Sequence, residues 1–166
     1  MSYQIVTSIE LVKRAKKLTA TSILMLGLIA AIVFFVAPVL KTTFFGTTVQ
    51  QSILADIENI DIDELITNPF IILTAAIIVN SFFAYLFSLT KRLIVITYLT
   101  GIISYVLALS IFLLVQLLQL IDSSTYNSQL LQLGYGGSIA GFMILLQAVL
   151  LTIVNPMLNT RLLIDK

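Results

Sequence analysis

Four stretches of this chain run for twenty residues or more without a single Asp, Glu, Lys or Arg: residues 21–40, 70–89, 93–121 and 138–158. A helix needs about 20 mostly apolar residues to cross roughly 30 Å of hydrocarbon. In that medium a helix satisfies every backbone N–H and C=O within its own segment. The four runs therefore predict an all-α integral membrane protein, a four-transmembrane-helix bundle that forms one domain over residues 1–166. Composition agrees. Ordinary globular chains carry about 25% charged residues, whereas this one carries 10%, with 59% hydrophobic residues and a mean hydropathy of +1.09.

Orientation follows from where the few charges fall. Lys13, Arg14, Lys16 and Lys17 precede the first span, Lys91 and Arg92 join the second to the third, and Arg161 and Lys166 follow the fourth. Only Lys41 lies on the other side. Basic residues favour cytoplasmic loops, so both termini are expected in the cytoplasm, in a multi-pass protein of a prokaryotic cell membrane. Asp56, Glu58, Asp61, Asp63, Glu64 and Asp122 all fall in the two opposite loops. The first apolar run is longer than a signal-peptide core, and Pro38-Val39-Leu40-Lys41 is unlike a small-residue cleavage site.

The segments outside the spans have patterns of their own. Residues 1–20 place Ile5, Ile9 and Val12 on one helical face ahead of the basic cluster, which predicts a cytoplasmic amphipathic helix lying on the membrane. Lys13, Arg14, Lys16 and Lys17 would meet anionic headgroups or dock a soluble partner. The outer loop, residues 41–69, is too long for a mere connector. Val49, Ile53, Ile57 and Ile60 recur there at helical spacing and predict a short amphipathic helix. Asn68 before Pro69 has the form of an N-cap followed by proline in the first turn.

Asp56, Glu58, Asp61, Asp63 and Glu64 crowd this loop. Clustered carboxylates can hold calcium or magnesium through oxygen, or a hydrolytic metal. No calcium-loop spacing and no bending glycine accompany them. A solvated acidic face is the expectation, with a loose cation site as the alternative.

The shorter outer loop, 122–137, contains Gly134-Tyr135-Gly136, the core of a potassium-channel filter. Such a filter is a ring of carbonyls from a T-V-G-Y-G loop. Gln132 and Leu133 stand where the threonine and valine belong, and the fourth span follows at once. The motif instead predicts a hinge. Residues 126–133 would form an interfacial helix, Gly134 would end it in the left-handed conformation, and Ser138 would cap span four. Residues 159–166 form a cytoplasmic tail, and Asn155-Pro156 would bend the helix before it.

The chain has no cysteine, histidine or tryptophan. It therefore offers no thiolate, no imidazole metal ligand and no group that titrates unperturbed near neutral pH. Charged side chains at bilayer depth mark proton relays, ion paths and voltage sensors, and the four spans carry none. Their polar groups are neutral: Asn80, Ser81, Ser104, Ser110, Gln116, Gln119, Gln147 and Asn155. Small residues form stripes beside them. Thr97, Gly101, Ser104 and Ala108 line one face of span three, Gly137 and Gly141 open span four, and Gly27 with Ala31 repeats the theme in span one. Such stripes let helices approach closely, with neutral polar groups as interhelical links.

The layout, with a larger first outer loop than second, is similar to that of claudin-like and tetraspanin-like proteins. The paired loop cysteines of tetraspanins and the loop tryptophan of claudins are missing here. The sequence thus points to a non-catalytic accessory subunit of a larger membrane complex, without cofactor and with structural lipids. Its partners would be other integral membrane subunits and anionic lipids, not nucleic acid. A homo-oligomeric pore or small transporter for an uncharged polar solute is the alternative, and metal-dependent chemistry at the acidic loop a third.

Overall fold

The computed structural model of the chain describes residues 2–44, 47–57, 68–90, 94–121 and 130–164. The first helix, α1, covers Ser2–Val36 without a break. The amphipathic stretch and the first span are thus one rod, not two elements. Nothing between them could interrupt it, since residues 2–36 contain no proline and a single glycine. At about 1.5 Å per residue the rod is longer than the hydrocarbon is thick. It stops at Val36 because a residue before proline, here Ala37, is disfavoured in the α region. The first span therefore ends four residues earlier than the apolar run suggests.

Leu40, the last residue of that run, instead opens a strand. β1 (Leu40–Phe44) and β2 (Thr47–Gln51) pair antiparallel, and β3 (Leu130–Leu133) adds to the other side of β1. The sheet order is β2-β1-β3, with Lys41 opposite Gln50 on one side and Gln132 on the other. Two corrections follow. Val49 belongs to a strand, and the helix expected around it shrinks to α2, Ile53–Ile57; Ile60 lies outside the described residues. The expected helix over 126–133 is a strand at 130–133, while 126–129 are outside the described set. Thr42, Thr43, Thr47, Thr48 and Val49 are β-branched residues that suit a pleated surface, and the sheet they start recruits the leucines of β3.

α3 (Pro69–Leu89) begins as the sequence predicts. Asn68 is the N-cap, and its Oδ1 accepts a hydrogen bond from the Phe70 N–H at 2.9 Å. α4 covers Ile94–Ile121. The last rod is α5 (Tyr135–Val149), a π turn over Leu150–Val154, and α6 (Asn155–Ile164). Its helix continues past residue 158 into the expected tail. Four of these helical stretches are long and apolar enough to cross a membrane, Ile9–Val36, Pro69–Leu89, Ile94–Leu114 and Tyr135–Thr160, consistent with a multi-pass membrane protein.

The helices close a ring in which α1 and α4 each pack against both α3 and α5. Its interior is layered. At the end nearest the sheet, Ala30, Ala31, Phe34, Ile77, Ile111, Ala140 and Ile144 form the main apolar core, with Val39 and Ile53 plugged in from the sheet and α2. A second apolar cluster, Ile23, Ala84 and Leu151, lies nearer the ends that carry most of the basic residues. Between them, at the intervening turns, stand Gly27, Ser81 and Gln147.

The π turn sits immediately ahead of Pro156. Proline has no N–H to give to the Thr152 carbonyl, and its ring crowds that oxygen. The wider turn accommodates both effects, with the Asn155 N–H bonded to the Leu150 carbonyl. The irregularity anticipated at Asn155-Pro156 thus takes the form of a π turn preceding it.

Candidate functional site

The polar groups of α3, α4 and α5 form one concentration of chemistry among the described residues. On α3, Asn80 and Ser81 are adjacent and therefore point about 100° apart. Asn80 faces α4. Its Nδ2 donates to the Ser104 Oγ at 2.8 Å and approaches the Thr100 carbonyl at 3.4 Å. The Ser104 hydroxyl donates a hydrogen bond to that same carbonyl at 3.0 Å. Ser81 faces the other neighbours, donating to the Ile77 carbonyl at 2.6 Å and accepting from the Gln147 Nε2 at 3.0 Å. Gly27 of α1 closes this layer. A Cβ on it would collide with the Ser81 Oγ and Cβ and lie 3.1 Å from the Gln147 Nε2. On the far side of α4 the Tyr105 and Thr152 hydroxyls lie 3.4 Å apart.

Gly27, Ala31, Asn80, Thr97, Gly101, Ser104, Ala108, Gly137 and Gly141, expected at helix contacts, are buried, whereas Gln116 is exposed, the half-buried Ser110 donates only to the Val106 carbonyl of its own helix, and the Gln119 side chain lies outside those described. Their contacts lie within the chain. A Cβ on Gly101 would come within 2.6 Å of the Thr152 Cγ2, and one on Gly141 within 2.7 Å of the Phe112 ring. Phe112 in turn meets Phe142 edge-on, with ring centroids 5.4 Å apart. The small-residue faces are thus used to close the ring itself.

Gly134-Tyr135-Gly136 is fastened to the exit of α1. The Gly134 N–H donates to the Val39 carbonyl at 2.6 Å and the Gly136 N–H to the Pro38 carbonyl at 2.9 Å. Gly134 is the N-cap of α5 with φ −71° and ψ 167°, an extended conformation and not the left-handed one. A strand precedes it, so there is no helix end to cap. Ser138 lies inside the first turns of α5, its N–H and hydroxyl both donating to the Gly134 carbonyl. It is not the cap of span four.

The basic cluster divides. Lys13, Arg14 and Lys17 are exposed, but Lys16 is only 6% exposed. It continues the buried row Ala20, Ile23, Gly27, Ala30 and Phe34, which spacing alone assigns to the inner face of α1. Of the acidic cluster, Glu58, Asp61, Asp63 and Glu64 lie outside the described residues, and only the backbone of Asp56 is described, in α2. No group of three or more metal-binding side chains occurs among the described residues.

Two features escape a reading of the sequence. One is an apolar recess of about 450 Å³ on the outer surface between α3 and α4. Val79, Phe83 and Phe87 form one wall, with the two rings stacked 5.8 Å apart, and Ile96, Leu99 and Ile103 form the other. The second is a run of buried amides on the last rod, Gln147, Asn155 and Asn159, each 3% exposed or less. The Gln147 Oε1 and both amide atoms of Asn155 and Asn159 have no hydrogen-bond partner among the described residues. Asn159 lies beyond the apolar run, where nothing in the sequence marks it as interior.

Comparison with protein-family models, curated proteins and solved structures gives no match for this chain.

Proposed function

We propose that the chain is a non-catalytic accessory subunit of a larger integral membrane complex. In this reading it is a four-helix bundle of a prokaryotic cell membrane with both termini cytoplasmic and the small sheet on the outer side. The observation that carries the reading is how the mid-depth polar groups are used. Asn80 is spent on Ser104 and Gln147 on Ser81, so the side chains best able to act on a substrate instead tie helices together. Interhelical bonds of this kind contribute about 0.5–2 kcal/mol in a membrane.

Since the small-residue faces close the ring, a partner subunit must meet the outer surface. The apolar recess between α3 and α4 is where side chains of a neighbouring transmembrane helix would insert. Lipid tails cover the rest of the belt, and Lys13, Arg14 and Lys17 engage anionic headgroups.

Extraction in a mild detergent followed by native mass spectrometry should give a hetero-complex of fixed stoichiometry. Val79→Trp and Leu99→Trp fill the recess from positions that are 53% and 54% exposed. Each should release the partner while leaving the melting of the isolated chain unchanged. A second reading, a pore for a small uncharged polar solute, is favoured by the amides of Asn155 and Asn159, which meet no hydrogen-bond partner among the described residues. A lone homo-oligomer that passes such solutes across liposomes would establish it and dispose of the first.

A further inference from the structure

We infer that the hollow where the sheet meets the start of α5 holds the phosphate of an anionic phospholipid, with one of its acyl chains lying along the exposed face of α5. The inference does not depend on the subunit reading. The hollow has a volume of about 380 Å³. Lys41, Gln50 and Gln132 line it from the three strands, and Tyr135, Ser138 and Ile139 line it from α5. It shares no residue with the apolar recess between α3 and α4.

The sheet supplies the charge. Lys41 stands opposite Gln50 in one ladder and opposite Gln132 in the other, and residues directly opposite in antiparallel strands share a face of the sheet. With neighbouring strands about 4.8 Å apart, the three side chains start on a line about 10 Å long, short enough for all of them to converge on one phosphate. An ammonium only donates, and each carboxamide can turn its NH₂ toward an oxyanion. The Ser138 hydroxyl already donates to the Gly134 carbonyl and leaves donation to those three. No carboxylate stands among the described lining residues, so a headgroup ammonium would meet no opposite charge there. The hollow therefore favours a lipid whose headgroup carries only the phosphate charge, such as phosphatidylglycerol, over phosphatidylcholine.

The helix supplies a place for the tail. Tyr135, Ile139, Phe142 and Leu146 are 56%, 42%, 63% and 51% exposed. Their spacing of four, three and four makes one continuous stripe along α5. The stripe begins in the hollow, at the residue that opens the fourth candidate span. Eleven residues at about 1.5 Å each carry it about 16 Å, close to half of the roughly 30 Å of hydrocarbon and so the depth of one leaflet. Tyr135 sets its ring at headgroup level, where amphipathic aromatic residues concentrate. A free anion would use Lys41 and the two glutamines alone. The apolar stripe that runs on from them favours a phosphate that arrives with a tail. Lys13, Arg14 and Lys17 lie toward the opposite end of α1, so a variant at one basic site leaves the other intact.

The chain has no tryptophan, so a single introduced indole reports the lipid beside the stripe. Full-length Phe142→Trp is reconstituted in phosphatidylcholine vesicles that contain a small fraction of lipid with dibrominated chains. Fluorescence quenching should be at least about twofold stronger when those chains are carried on phosphatidylglycerol than on phosphatidylcholine, within the enrichment that one lysine gives at a membrane surface. Ile139→Trp, on the same stripe, carries the test if Phe142→Trp fails to fold. Adding Lys41→Gln should abolish the preference, whereas Lys13→Gln/Arg14→Gln/Lys17→Gln should keep it. Equal quenching by the two lipids, or a preference that survives Lys41→Gln, would overturn the inference. A preference lost in inorganic phosphate but kept in chloride of equal ionic strength would make the hollow a site for the free anion and overturn the lipid assignment as well.

Discussion

Asn80 and Ser104 meet across the α3–α4 interface, with the Asn80 Nδ2 donating to the Ser104 Oγ over 2.8 Å and both residues at most 7% exposed. This is a direct side-chain bond between those two helices, whose outer surfaces part to form the apolar recess. Removing the donor should weaken that pair selectively. Asn80→Ala is expected to destabilise the protein by about 0.5–2 kcal/mol, the range for interhelical hydrogen bonds in membranes. Thermal melting in detergent measures the loss. Ser104→Ala should cost no more, and the double variant should fall short of the sum of the two. Strict additivity would mean that the bond contributes nothing.

Gly27 makes a sharper demand, since a methyl group there would occupy the position of the Ser81 side chain. Gly27→Ala should destabilise by about 1–3 kcal/mol, the usual cost of overpacking. Ser81→Gly vacates the colliding atoms, so Gly27→Ala/Ser81→Gly should be more stable than Gly27→Ala alone. The sign of that difference, read by melting, decides whether α1 and α3 touch at this layer. Ser81→Gly alone should be mildly destabilising, because Gln147 loses its acceptor.

The sheet ties together two connections that lie far apart in the chain. Lys41 and Gln132 are directly paired in the β1–β3 ladder, and paired residues in an antiparallel sheet have Cα atoms about 4.5–5.5 Å apart. That separation suits a disulfide. In the cysteine-free background, Lys41→Cys/Gln132→Cys should form an intramolecular bond under mild oxidation, detectable as a mobility shift reversed by reductant. Lys41→Cys/Tyr135→Cys, off the register, should not. Cross-linking in the second pair alone would refute the strand pairing.

What the sequence made legible, and what it hid, divides by the range of the interactions concerned. The four spans could be read because an uncharged run of this length has few other uses, and Asn68-Pro69 because a cap is made by neighbours. The buried row from Lys16 to Phe34 on α1 was available from helical spacing, but the positive charge of Lys16 made a surface position the natural assignment. The sheet was less accessible. Thr42, Thr43, Thr47 and Thr48 are a short-range hairpin signal, yet Val49 also fits a helical period with Ile53 and Ile57. The leucine-rich β3 has no strand preference of its own, and only β1 across the ladder makes it one. Asn159 was hidden for a geometric reason. Its interior position depends on one non-α turn, and sequence periodicity assumes that no such turn exists.

That turn supplies a last prediction. A π turn is one residue more than an α-helix needs, so deleting one residue from it should restore regular geometry and leave the flanking faces where they are. Without Ile153, which is 53% exposed, the interior spacing from Leu151 to Asn155 falls from four to three. Gln147, Leu151, Asn155 and Asn159 then follow the four-three-four pattern of an ordinary buried helical face. Pro156 would crowd a regular helix, so the comparison belongs in a Pro156→Ala background. There, deletion of Ile153 should keep a single detergent-eluting species and a cooperative melt. Deletion of Leu145, also outward-facing but inside regular α5, rotates everything beyond it by about 100°. It would move Gln147 to the lipid-exposed position of Leu146 and put Ala148 in the interior position of Gln147, a loss on the scale of large core substitutions, about 3–5 kcal/mol. Equal damage from the two deletions would mean that the π turn is required for its own sake and not as a means of turning Asn155 and Asn159 inward.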